Sequence, residues 1–167
     1  THELAVGDRL RLNCDNRYDV YGEKEISCLN NLALSSRKPR CKPVHCKKLH
    51  NIENGYVIHN GTYRGAAATY YCNRGQELVG SSVRKCKRNK TWSKTAPRCK
   101  PIKCKRPHNI AHGQVDYNSN DLQFGSKVKF YCHFGYELTG ENERQCGDDG
   151  SWLGEEPECI LIRCPIP

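Results

Sequence analysis

Cys46-Lys47-Lys48-Leu49-His50-Asn51-Ile52-Glu53-Asn54-Gly55, followed by Tyr70-Tyr71-Cys72-Asn73-Arg74-Gly75, Cys86, Thr91-Trp92-Ser93 and Pro97-Arg98-Cys99, belongs to a pattern that recurs along the chain. Cys14, Cys72 and Cys132 are 58 and 60 residues apart. The same steps relate Cys28 to Cys86 and Cys146, Cys41 to Cys99 and Cys159, and Cys46 to Cys104 and Cys164. One unit of about 59 residues therefore accounts for all 12 cysteines.

Other residues keep this register. Gly7, Gly65 and Gly125 each stand seven residues before a cysteine. Alternate residues follow them: Leu10, Leu12 and Cys14; Ala68, Tyr70 and Cys72; Val128, Phe130 and Cys132, with Arg9, Arg11, Lys127 and Lys129 between. Period two is a strand with one buried face. After this cysteine come Gly75 and Gly135, then Val20, Leu78 and Leu138, then Gly22, Gly80 and Gly140, which read as a turn, a short strand and another turn. Trp92 and Trp152 sit six residues after Cys86 and Cys146, and Pro39, Pro97 and Pro157 sit two before Cys41, Cys99 and Cys159. With no helical period anywhere, an all-β fold is expected.

Composition points the same way. Only 37% of the 167 residues are apolar, with 14 Gly, 8 Pro and no Met, so one large hydrophobic core is not expected. Covalent staples take its place, which places the chain in an oxidising compartment. The longest aliphatic run, Ile160-Leu161-Ile162, is far short of the roughly 20 residues a bilayer span requires. The chain starts without an initiator Met or a charged-then-apolar leader, and a mature fragment is expected, secreted or the extracellular portion of a membrane protein.

The recurring pattern resembles the complement control protein module, also called the sushi domain or short consensus repeat. The resemblance implies tandem small disulfide-stapled β-sandwich modules arranged as an elongated rod. It assigns residues 1–41 to a first module lacking its first cysteine, 46–99 to a second, 104–159 to a third and 164–167 to the start of a fourth, with linkers at 42–45, 100–103 and 160–163. Four cysteines allow three connectivities. The family pairing, first with third and second with fourth, implies Cys14–Cys41, Cys46–Cys86, Cys72–Cys99, Cys104–Cys146 and Cys132–Cys159. Cys28 and Cys164 are then left unpaired, as expected of a piece cut from a longer array. The first module departs from the pattern at Leu34, where the family has Trp, and at Arg17, where it has Gly.

Charge is the feature that the fold leaves unexplained. Residues 44–101 carry 12 Lys and Arg against 2 Asp and Glu, whereas residues 102–167 carry 7 against 10. Arg84, Lys85, Lys87, Arg88, Lys90, Lys94, Arg98 and Lys100 crowd the last third of the second module, and Arg37, Lys38, Arg40, Lys42, Lys47 and Lys48 run through the first linker. A basic surface of this kind attracts an extracellular protein with an acidic face or a polyanion, and salt weakens the attraction. Exposed Lys and Arg also serve simply to keep strand edges soluble. Asp148, Asp149, Glu155, Glu156 and Glu158 offer another copy of the chain as a further partner. Asn60-Gly61-Thr62 and Asn89-Lys90-Thr91 are N-glycosylation sequons, the second within the basic stretch.

Chemistry is conspicuously missing. Cys-x4-Cys occurs three times, yet each pair straddles a module junction, and no Cys-x2-Cys or spaced His pair completes a zinc site. No Gly-x-Ser-x-Gly, His-Glu-x-x-His or phosphate loop appears, so neither a cofactor nor a catalytic residue is expected. An extracellular polyanion suits the charge better than nucleic acid does. Resemblance to the regulators of complement activation implies binding of activated complement components and heparan sulfate. The alternatives are an adhesion or synaptic scaffold, a secreted immunomodulator binding a cytokine or receptor, and the non-catalytic stem of a complement-type serine protease or clotting factor.

Overall fold

The computed structural model describes residues 3–166, and every regular element among them is a β-strand. The first repeat holds β1 (Arg9–Arg11), β2 (Tyr18–Tyr21), β3 (Glu25–Ser27) and β4 (Arg40–Pro43). The second holds β5 (Gly55–His59), β6 (Ala67–Cys72), β7 (Gln76–Val79), β8 (Val83–Lys85) and β9 (Arg98–Pro101). The third holds β10 (Gly113–Tyr117), β11 (Lys127–Cys132), β12 (Tyr136–Thr139), β13 (Glu143–Gln145) and β14 (Glu158–Leu161). The second and third repeats each build a three-stranded sheet, β5-β6-β8 and β10-β11-β13, and a two-stranded one, β7-β9 and β12-β14. The first repeat has β1-β3 and β2-β4 only.

By contacts the chain divides into two compact units: residues up to 52 with 56–71 and 80–97, and residues 53–55 and 72–79 with those from 98 onward. The third repeat, wholly in the second unit, shows how the alternation becomes a core. On β11, Val128 and Phe130 are buried while Lys127, Lys129 and Tyr131 face solvent. Ile110, Val115, Leu122, Val128 and Phe130 form one buried cluster, with Tyr117, Leu138, Trp152 and Cys159 packed against it. The Trp152 indole N–H donates to the Lys105 carbonyl at 2.8 Å, which lets a large ring close the core without stranding its one donor.

Spacing alone placed Gly22, Gly80 and Gly140 and Pro39, Pro97 and Pro157 in every repeat, and the fold brings them together. Gly80 has φ +114°, and a Cβ there would stand 3.3 Å from Pro97 Cα; Gly22 with Pro39 and Gly140 with Pro157 repeat the contact. The turn that follows each middle strand thus closes on the proline that precedes the last cysteine.

The structure holds the disulfides Cys14–Cys41, Cys46–Cys86, Cys72–Cys99, Cys104–Cys146 and Cys132–Cys159. Cys28 is a buried free thiol in the position that Cys86 and Cys146 occupy as bonded residues, and Cys164 is an exposed one. The first repeat departs from the expected buried face. Leu10 on β1 is 43% exposed because β1 pairs with β3 alone. Leu34 forms the same isolated bridge to Cys28 that Trp92 forms to Cys86, but it is 45% exposed against 8% for Trp92.

Candidate binding surface

The basic residues of the second repeat are sorted by what the fold does with each. Arg84 lies on β8 opposite Ala68, facing the sheet's inner side. Its Nε donates to the Ser93 carbonyl at 3.0 Å, one terminal nitrogen to the Lys94 carbonyl at 3.0 Å, and the other to the Tyr70 hydroxyl at 3.3 Å. Arg144, its counterpart two residues before the equivalent cysteine, bonds the carbonyls of Trp152, Leu153 and Gly154 at 2.8–3.2 Å. The first repeat has buried Ile26 there. Arg84 is thus a folding residue that satisfies a loop's carbonyls, with all three guanidinium nitrogens engaged within the repeat. Arg84→Ala is expected to cost about 1–3 kcal/mol by stranding those carbonyls, read as a fall in melting temperature by calorimetry.

The free cations gather elsewhere. Lys87, Arg88, Asn89 and Lys90 form a tight turn, with Lys90 N–H donating to the Lys87 carbonyl at 3.1 Å and Lys87 N–H to the Thr91 carbonyl at 2.9 Å. Lys90 adopts φ 64° and is exposed. The Trp92 indole donates to the Lys47 carbonyl at 2.8 Å, and Cys46 is bonded to Cys86, so Lys47 is pinned beside this turn. Lys47, Lys48, Lys85, Lys87 and Lys90 are all exposed. Lys94 reaches the Ser81 hydroxyl at 3.0 Å. Arg98 and Lys100 lie on β9 in the second unit, opposite Val79 and Glu77. In the first repeat, Arg37 and Lys38 are exposed ahead of β4, which carries Arg40 and Lys42; the Lys42 ammonium sits 3.4 Å from the centroid of the Tyr21 ring.

The first linker is not a free tether. Val44 is fully buried; its N–H donates to the Arg17 carbonyl at 2.8 Å, and its carbonyl accepts from Arg64 N–H at 3.0 Å. The linker is thereby bound on both flanks. Arg17 stacks its guanidinium 4.4 Å from the Tyr63 centroid, and Arg88 pairs with Asp19 at 3.4 Å. In the second unit, Ile102 makes the corresponding bonds to Gly75 and Phe124 at 2.9 and 2.8 Å, and Arg74 pairs with Asp148 at 2.8 Å. There Phe124 packs over Gly75, where a Cβ would stand 2.1 Å from the ring. The Arg-for-Gly departure at position 17 has its explanation here: the side chain that Gly75 omits is placed at Arg17 on the face of Tyr63 instead.

The sequons differ in setting. Asn89 Oδ1 accepts from Thr91 N–H at 3.3 Å and from its hydroxyl at 2.6 Å, at the exposed turn between Lys87 and Lys90. Asn60 Oδ1 accepts from Ala67 N–H at 3.1 Å, while the Thr62 hydroxyl lies 3.3 Å from His45 Nδ1. The third repeat puts Asp149 and Ser151 where the second has Asn89 and Thr91, and the Ser151 hydroxyl, with backbone N–H groups, holds the Asp149 carboxyl below its ordinary range. Among the described residues no group of three His, Cys, Asp or Glu side chains is placed to hold a metal ion, and no helix is long and apolar enough to cross a membrane.

A model of the family described as Sushi repeat (SCR repeat) matches residues 1–41, 46–99 and 104–159. The chain is 32% identical over 165 residues to the sushi, von Willebrand factor type A, EGF and pentraxin domain-containing protein 1 of Rattus norvegicus, covering 99% of this chain and 5% of that protein. It is 38% identical over 171 residues to protein lev-9 of Caenorhabditis elegans, covering 98% of this chain and 27% of that one. It is 31% identical over 175 residues to the complement control protein of Human herpesvirus 8 type P, covering 99% and 32%. The chain thus spans a third or less of the length of each of these relatives.

Proposed function

Because the chain belongs to the Sushi repeat family of extracellular binding modules, we propose that it is a non-enzymatic recognition segment that holds an acidic partner on the second repeat. The partners that suit it are activated complement components and heparan sulfate. One observation carries this reading: the stretch 44–101, with 12 basic and 2 acidic residues, carries Lys87 and Lys90 on one turn with Lys47 pinned beside it by the Cys46–Cys86 bond and the Trp92 indole. Exposed ammonium groups carried on neighbouring segments attract a polyanion or a carboxylate-rich face over several ångströms, and counterions compete for them. A glycan on Asn89 would stand in the middle of this turn and shield it.

The test leaves Arg84 and Arg88 in place, since the first supports the fold and the second pairs with Asp19. The K47E/K87E/K90E variant is expected to leave a heparin column at markedly lower salt than the parent chain. Its affinity for the activated third complement component is expected to fall about tenfold, equal to about 1.4 kcal/mol. Unchanged retention and affinity in a variant that melts normally would remove the turn from consideration.

A further inference from the structure

The outer face of the β5-β6-β8 sheet differs from its counterparts in a way that neither folding nor the basic turn accounts for. In the first repeat, Arg9 and Glu25 form a diagonal cross-strand ion pair at 3.1 Å. In the third repeat, Lys127 and Glu143 form the equivalent pair at 2.7 Å, flanked by Lys129 and by Asp116 on β10. Both pairs occupy the same positions, five residues before one cysteine and three before the next. In the second repeat these positions are Ala67 and Val83, and the position of Asp116 is Ile58. The result is an uncharged strip: Ile58 is 59% exposed, Tyr56 43%, Tyr71 44% and Val83 38%. Tyr56 and Tyr71 stack with centroids 5.4 Å apart, so the aromatic part of the strip is already ordered. Lys85, opposite Ala67 on β8, puts one cation at its edge.

We propose that this strip is a docking surface for a protein segment carrying an aromatic or aliphatic side chain bordered by Asp or Glu. The proposal deepens the reading that the second repeat holds an acidic partner, and rests on it. An edge-on ion pair must be desolvated before an apolar group can settle on it, whereas Ala67 and Val83 shed water favourably. Prearranged tyrosines lose little conformational freedom on binding and are frequent anchors at protein interfaces. Lys85 and the repeat's surplus of basic residues supply the complement to an acidic border. A sulfated polysaccharide has no apolar group to place against Ile58 and Val83, so the strip points to a protein.

The probe is a displayed library of random peptides, panned on the whole chain and counter-selected on the A67K/V83E variant. That variant restores the ion pair that the neighbouring repeats already fold with, at unchanged net charge. Ile58→Asp, the third repeat's own residue, is a second variant for the same purpose. Enriched peptides are expected to join an aromatic or aliphatic residue to Asp or Glu, and to lose at least about tenfold in affinity on either variant while near-ultraviolet circular dichroism stays unchanged. Peptides that bind both variants within about twofold, or that are acidic without an apolar anchor, overturn the proposal. So does sedimentation showing that the parent chain dimerises and both variants do not, since the strip is then covered by a second copy. Heparin retention of K47E/K87E/K90E judges the basic turn separately, so failure of one reading is not mistaken for failure of the other.

Discussion

Phe130→Ala is expected to destabilise the third repeat by about 3–5 kcal/mol, the range for emptying a buried aromatic site. Phe130 is 1% exposed at the centre of β11, and the cluster it anchors contains only Ile110, Val115, Leu122 and Val128 besides itself. Loss of the ring removes contacts from all of them and leaves a space bounded by the Cys132–Cys159 side of the repeat, where a staple restrains collapse. A small domain holds about 5–15 kcal/mol in total, so this one change takes a large share. Hydrogen exchange read by mass spectrometry is expected to lose protection across β10, β11 and β13 while β1 and β3 keep theirs. Phe130→Leu is expected to recover most of the loss. A melting curve for Phe130→Ala that coincides with the parent's would show that the cluster does not carry the repeat.

Removal of a staple has an effect of similar size. Cys104–Cys146 closes a sequence separation of 42 residues and Cys132–Cys159 one of 27. On the chain-entropy account these contribute about 4 and about 3.5 kcal/mol respectively. With only five buried apolar residues in the cluster, the C104S/C146S variant is expected to leave the third repeat unfolded at body temperature, seen as collapse of near-ultraviolet circular dichroism from Trp152. Full reduction is expected to unfold every repeat. Thiol counting provides the control: the native chain is expected to react at the exposed Cys164 alone, and the denatured, unreduced chain at Cys164 and Cys28. Retention of structure in the C104S/C146S variant would shift the weight of stability from the staples to the core.

Much of this architecture was legible before any coordinates. The period of the cysteines announced three repeats, the alternation on β11 announced its buried face, and the family resemblance implied the five pairings that the structure contains. Leu10 shows where legibility stopped. Its alternating context reads like that of Val128, yet it is 43% exposed while Val128 is fully buried, because a strand's inner face is buried only when enough neighbours cover it. The basic stretch shows the same limit at the site. Arg84 and Lys87 are three residues apart in one charged run, and nothing local distinguishes a guanidinium satisfying a loop's carbonyls from an ammonium left in water.

By itself, then, the sequence determined everything that depends on short-range spacing: strand period, turn glycines, the cysteine rhythm and the excess of charge on the second repeat. Tertiary structure alone decided which of those charges are free, that Val44 is hydrogen-bonded on both flanks, and that Gly22, Gly80 and Gly140 meet Pro39, Pro97 and Pro157. It also decided that Ala67 and Val83 stand where neighbouring repeats place an ion pair. The physical reason is common to all of these. Period two tells which side of a strand a residue faces, but the group lying across from it comes from another strand, 14 to 18 residues away in these sheets, and only the folded register brings the two together.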